Sequence, residues 1–147
     1  MKTALLIFSA LVLGAAAPAA PAAAQNMPMG FGEYVDITSI AIDDGHDVDY
    51  ANFLSSKWKA QEDFAKAQGW ITGYEILANA HKRSGEPDLY LVIRFRALPD
   101  AAEQVRREQI MHDHVKMDDT AMDADSAGRA KFRHVTGSQL LQVLTIK

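Results

Sequence analysis

The chain has 147 residues and no cysteine, which excludes both a disulfide framework and the cysteine of a bacterial lipid anchor. Without its first 24 residues, whose one charge is Lys2, it carries 14 Lys and Arg against 19 Asp and Glu, a net charge of −5. Nucleic acid is therefore not an expected partner, because that affinity comes chiefly from clustered Lys and Arg.

Residues 1–24 have the pattern of a cleavable signal peptide. Lys2 precedes an apolar run over residues 4–17, and alanines occupy positions 22–24 ahead of Gln25. The run is too short for a membrane span, which takes about 20 apolar residues. The pattern predicts a periplasmic or secreted protein with no membrane attachment after cleavage.

Residues 33–147 are expected to form one domain after a flexible lead-in over residues 25–32, which contains proline and glycine and has no periodicity. Residues 34–42 alternate and are rich in β-branched side chains, which predicts a strand. Residues 50–68 have helical periodicity, and Gly69 is a typical helix stop.

Two strands are predicted over residues 70–81 and 88–97, joined by the turn sequence KRSGEP as an antiparallel hairpin. The alternation places Leu89, Leu91, Ile93 and Phe95 on the face under the helices. The opposite face carries both polar and apolar side chains. A hairpin centred on the turn pairs residues of this face as Glu75 with Arg94, Asn79 with Tyr90 and His81 with Asp88. Such a face suits a second subunit, although solvent could also cover it.

A second helix is predicted from residues 98–100 to Met117, followed by a polar stretch over 118–133 that could form a further short helix. Gly137 is expected to end this stretch, and SQLLQVLTIK is predicted to form a fourth strand. The order β-α-β-β-α-β predicts an α+β, ferredoxin-like fold, a four-stranded antiparallel sheet with its helices on one face.

Three features carry a resemblance: the aromatic-rich first helix, the KRSGEP hairpin and the closing sequence HVTGSQLLQVLTI. Together with the element order, they resemble the dimeric α/β-barrel superfamily, in which two such sheets pair. The resemblance implies a homodimer. It fixes no reaction, because the superfamily includes monooxygenases, cyclases, lyases and proteins without known activity.

His112 is the first candidate for chemistry. With Val105 taken as the centre of the buried face of the second helix, His112 points inward and His114 points into water. Glu108 lies one turn before His112, at the spacing where side chains meet. A histidine held by a carboxylate can act as a general base, but the same pair is also common as plain structure.

Aromatic and apolar residues of the first helix and second strand are the candidates for ligand binding. The residues predicted to line a cavity between helices and sheet are Tyr50, Leu54, Trp58, Tyr74 and His112. Aromatic residues at helical spacing are more often plain core. If Tyr74 faces the helices, its hydroxyl needs a partner, and a Tyr74–His112 pair could polarise a carbonyl and remove a proton.

No metal is expected, because His112 and His114 diverge by about 200° on a helix and no regular set of ligands converges. No cofactor is expected either. The resemblance leaves heme open, since related proteins bind it through a histidine on the helix that corresponds to the one carrying His112.

Three functions therefore stay open. The first is the holding of a small apolar or aromatic ligand between helices and sheet. The second is a cofactor-independent enzyme, a cyclase, lyase or monooxygenase, with His112, Glu108 and Tyr74 as its catalytic residues. The third is a structural or partner-binding dimer with no ligand.

Overall fold

The computed structural model describes residues 28–147, so the predicted signal peptide lies outside the described residues. The chain forms an α+β fold with one antiparallel sheet of four strands. The strands are β1 (Met29–Ile42), β2 (Gly73–Ala78), β3 (Leu89–Phe95) and β4 (Arg133–Ile146), and they lie in the order β2-β3-β1-β4. The helices are α1 (Asp47–Phe53), α2 (Lys59–Ala67), α3 (Ala101–Val115) and α4 (Asp119–Arg129).

A π-helical turn over Leu54–Trp58 joins α1 to α2 without a break. Just before this turn, the Asn52 carbonyl accepts hydrogen bonds from the hydroxyls of Ser55 (3.2 Å) and Ser56 (2.5 Å). The continuous helix ends as predicted at Gly69, whose φ of 73° is one that glycine adopts without strain.

The core lies between this continuous helix and one face of the sheet. Its buried residues are Ile40, Tyr50, Leu54, Trp58 and Leu91. Leu89 packs against this cluster, so two residues of the predicted helix-facing set of β3, Leu89 and Leu91, meet the helix as predicted. The predicted helical face of residues 50–65 is also confirmed, since Ala65, two turns after Trp58, is buried as well.

The strand ends differ from prediction. β1 begins at Met29, so residues 29–31 of the predicted lead-in pair with β4, and Gly32 lies at a register shift before Tyr34. Gly137 does not precede the last strand but lies inside β4, where it pairs with Ser39 at a register shift. Such a bulge accommodates one extra residue, here Thr136, while the ladder continues on both sides.

The hairpin register is shifted by two residues from the predicted one. Arg94 lies opposite Gly73 and Tyr90 lies opposite Leu77, and the backbone of Asn79 bonds to that of Asp88. A shift of two keeps every side chain on its predicted face. Arg94 therefore still reaches Glu75, as a diagonal neighbour, with an N–O distance of 3.0 Å.

The predicted inward face of α3 is wrong. Val105, taken as its centre, is 66% exposed, and no residue of α3 is fully buried. Instead, Arg107 lies over the Trp70 ring, and the ring of His114, which is exposed as predicted, also stacks on Phe64 with centroids 3.8 Å apart. Polar side chains with flat or extended apolar parts thus contribute contacts of α3 with α2 and with Trp70, which follows α2.

Candidate functional site

An open cleft lies between the continuous helix and the β2 edge of the sheet, with a volume of about 370 Å³. We call it the helix–sheet cleft. Its apolar walls are formed by Ala51, Leu54, Trp58, Tyr74, Ile76 and Leu89. Three of the residues predicted to line a cavity, Leu54, Trp58 and Tyr74, are therefore brought together here.

Two aromatic rings shape the cleft. Trp58 and Tyr74 meet edge to face, with centroids 5.2 Å apart and an interplanar angle of 88°. Alternation along β2 turns both Tyr74 and Ile76 toward the helix, and Ile76 stays 41% exposed because nothing in the described chain covers it. The arrangement offers apolar surface that a flat apolar molecule could cover.

The hydroxyl of Tyr74 is held by a charged pair on the helix. It donates a hydrogen bond to Asp63 Oδ1 at 2.5 Å, while Lys59 Nζ donates to Asp63 Oδ2. The hydrogen bond to Asp63 raises the pKa of Tyr74, and Lys59 together with Tyr74 lowers the pKa of Asp63. The Tyr74 hydroxyl proton is thus bound to a carboxylate, so toward a ligand its oxygen, which Lys59 also approaches, can only accept a hydrogen bond.

Tyr50 does not line the cleft. It is 1% exposed, stacks on Phe53 at 5.7 Å and belongs to the core. Burial raises the pKa of its hydroxyl, an effect that the nearby guanidinium groups of Arg133 and Arg129 oppose. The contacts of Tyr50 therefore support a structural role in the core and not a role in ligand binding.

The predicted catalytic residues are not brought together. His112 Nε2 lies 3.0 Å from Asp119 Oδ1, at the corner between α3 and α4. Glu108 accepts a hydrogen bond from Gln104, and Tyr74 is bound to Asp63. Each of the three residues therefore has a different partner from the one predicted for it.

The surroundings of His112 do not fit a heme. Its neighbours at the α3–α4 corner include Gln109, Asp113, Lys116 and Asp118, and Nε2 already faces a carboxylate. A heme needs an apolar slot and a free ring nitrogen. Among residues 28–147, no group of three or more His, Asp and Glu side chains converges as a metal site would require.

Two residues of the site were missed by the sequence reasoning. Lys59 and Asp63 are four residues apart on a helix, a spacing at which opposite charges meet. That spacing was a usable signal for their ion pair. The bond from Asp63 to Tyr74 had no such signal, because it joins a helix to a strand.

The sequence matches no model of a known protein family, and a comparison with curated proteins finds no similar chain. Over residues 28–147, no helix is both long enough and apolar enough to cross a bilayer.

Proposed function

We propose that this protein is an exported binding domain that holds a small apolar or aromatic molecule in the helix–sheet cleft. The observation that carries the proposal is the apolar, partly open space of about 370 Å³ beside Trp58 and Tyr74. Small-molecule sites are concave and mostly apolar, with a few placed polar groups. Export is proposed from the leader pattern of residues 1–24.

The polar groups at the rim narrow the ligand class. The Tyr74 oxygen can accept a hydrogen bond, while Lys59, which is half-exposed, can donate one. An aromatic alcohol has a flat apolar body for Trp58 and a hydroxyl that can donate to Tyr74. We therefore expect phenol-like molecules to bind better than hydrocarbons of the same size.

The enzymatic alternative has less support. It needs Tyr74 to donate a proton or hydrogen bond to a substrate and His112 to act beside it. The hydroxyl of Tyr74 donates to Asp63 and His112 faces Asp119, so no contact favours that pairing.

Filling the cleft is expected to weaken ligand binding strongly. Ala51 is an exposed residue of the helix that lines the cleft, and Ala51→Phe puts a ring into it at little cost to the fold. With 2-naphthol as probe, quenching of Trp58 fluorescence in a Trp70→Phe background should saturate. Ala51→Phe should weaken the affinity at least about tenfold, as expected when a ligand's apolar contacts are lost.

The control for this measurement is Ala60→Phe, an exposed alanine of the same helix outside the cleft. Its affinity for 2-naphthol should equal that of the parent. Equal affinity of Ala51→Phe and the parent would contradict the location of the site. Absence of any saturable quenching would favour a dimer that holds no ligand.

We also propose that the chain has a ferredoxin-like fold and belongs to the dimeric α/β-barrel superfamily. The element order is β-α-β-β-α-β with α4 added before the last strand, and β1 and β3 form the central pair. Both features are those of a ferredoxin-like domain, which supports membership of the dimeric α/β-barrel superfamily.

A homodimer would cover the sheet face opposite the helices. On that face Leu77 and Leu141 are each 47% exposed and Val143 is 36% exposed, beside the buried Val35 and Val92. Exposed apolar patches of this kind mark interaction surfaces. A second copy is the occupant we propose, because a face that carries both Glu75 and Arg94 can be complementary to itself.

Charge placed on this face is expected to separate the dimer. Leu141→Asp would bury a carboxylate in the interface, which is strongly unfavourable. Light scattering should give twice the mass of one chain for the parent and one chain mass for Leu141→Asp. Val105→Asp, on the exposed side of α3, should remain dimeric, and a monomeric parent would refute the pairing.

A further inference from the structure

A second cavity, of about 340 Å³, lies between the continuous helix, the end of α3 and α4. We call it the inter-helix cavity. It forms because α3 ends at Lys116 in the left-handed conformation (φ 55°), which turns the chain back into α4. It shares no lining residue with the helix–sheet cleft, so the two can be tested separately.

One part of the inter-helix cavity is apolar and adaptable. Its walls there include Phe53, Val115, Met117 and Met122. Methionine side chains are unbranched and polarisable, and they adjust to ligands of irregular shape. This part suits a flexible hydrocarbon chain.

The other part is charged, and its charges do not balance. Lys57 Nζ donates to Asp125 Oδ1 at 2.6 Å, and the guanidinium of Arg129 pairs with the second oxygen of the same carboxylate. Two cations thus share one anion, in a protein whose described residues carry an excess of acidic side chains. The local excess is one positive charge.

Arg129 is held by packing and by its ion pair, whereas the Lys57 side chain is exposed and has room to reorient. The Arg129 guanidinium lies over the Phe53 ring, 4.0 Å from its centroid, and its side chain is only 17% exposed. Its buried Nε has no hydrogen-bond partner within the described part of the chain. The Lys57 side chain is 56% exposed, so its ammonium group can turn toward an incoming anion without loss of packing.

We propose that the inter-helix cavity binds an amphipathic carboxylate, with its hydrocarbon chain among the methionines and its carboxylate near Lys57 and Arg129. A neutral or cationic molecule with the same chain would gain the apolar contacts but not the charge pairing. The site is independent of the binding proposed for the helix–sheet cleft.

The test uses octanoate as probe, with 1-octanol and octylamine as neutral and cationic analogues. In protein labelled at the methionine methyl groups, octanoate should shift the NMR signals of Met117 and Met122 and leave that of Met111 in place. Its affinity should exceed that of either analogue by about fivefold or more, as expected for one charge-assisted contact. Equal or tighter binding of an analogue would overturn the charge assignment.

Two variants locate the site. Ala60 lines this cavity, and Ala60→Phe should weaken octanoate binding at least about tenfold, while Ala51→Phe, in the helix–sheet cleft, should leave it unchanged. Lys57→Gln alters an exposed side chain without threatening the fold and should weaken octanoate but not 1-octanol. Unshifted Met117 and Met122 signals, or full octanoate affinity in Ala60→Phe, would refute the proposal.

Discussion

Glu62→Gln is expected to raise the free energy of unfolding by about 2 kcal/mol at pH 8 and to change it little at pH 5. Glu62 lies one turn after Trp58 and one turn before Ala65, on the side of α2 that faces the core. Burial there raises the pKa of its carboxyl to about 7, from an ordinary value of 4.5.

The sign of this stability change follows from the difference in the pKa of Glu62 between the folded and unfolded states. Between pH 4.5 and pH 7 the folded protein keeps Glu62 protonated while the unfolded chain has released the proton. The resulting stabilisation is complete below the unfolded pKa and is lost as pH rises through the folded pKa. Glutamine stays neutral, so it removes this loss.

Urea unfolding of both proteins at the two pH values measures the effect. Subtracting the difference at pH 5 from that at pH 8 cancels the titration of the five histidines, which both proteins share. A Glu62→Gln variant with the same stability gain at both pH values would show that burial of the carboxyl is not the cause.

Ile40→Ala is expected to lower the free energy of unfolding by about 3 kcal/mol, whereas Ile76→Ala should lower it by less than about 1 kcal/mol. Ile40 is 1% exposed at the centre of the core, so its removal leaves a cavity. Ile76 is 41% exposed on the same face of the sheet, where water can fill the space.

The two variants should have the opposite order in ligand binding. Ile76 lines the helix–sheet cleft and Ile40 does not, so 2-naphthol affinity should fall in Ile76→Ala and persist in folded Ile40→Ala. Chemical denaturation and fluorescence titration give both quantities. Equal stability losses would contradict the placement of the core, and equal affinities would contradict the lining of the cleft.

Local patterns were enough to predict most elements. The spacing of Tyr50, Leu54 and Trp58 predicts one helical face, and all three residues are buried together. Alternation around Leu91 predicts which side of β3 meets the helix. Both signals arise within one element, where the period of the backbone directly determines which side chains share a face.

Features that depend on two elements could not be predicted in this way. The hairpin register depends on how Gly73 and Arg94 align, and the bulge near Gly137 depends on the partner strand β1. The prediction of which face of α3 points inward was wrong for a related reason. Helix α3 makes ring contacts through Arg107 and His114, and a search for apolar periodicity does not identify polar residues as contact residues.

The candidate site was predicted in part. Leu54, Trp58 and Tyr74 line one cleft as expected, because each lies on the core-facing side of its own element. The pairing of Tyr74 with His112 was wrong. Asp63 on the overlying helix accepts the hydrogen bond from the Tyr74 hydroxyl, and no spacing within one element predicts that these two residues are close.

The most direct test of ligand binding is the contact between ligand and ring protons. In NOE spectra of the protein with 2-naphthol, we expect contacts from the probe to the rings of Trp58 and Tyr74 and none to Trp70, which packs against Phe64 away from the cleft. Contacts to Trp70 without contacts to Trp58, or no intermolecular contacts at saturating probe, would contradict the proposed site.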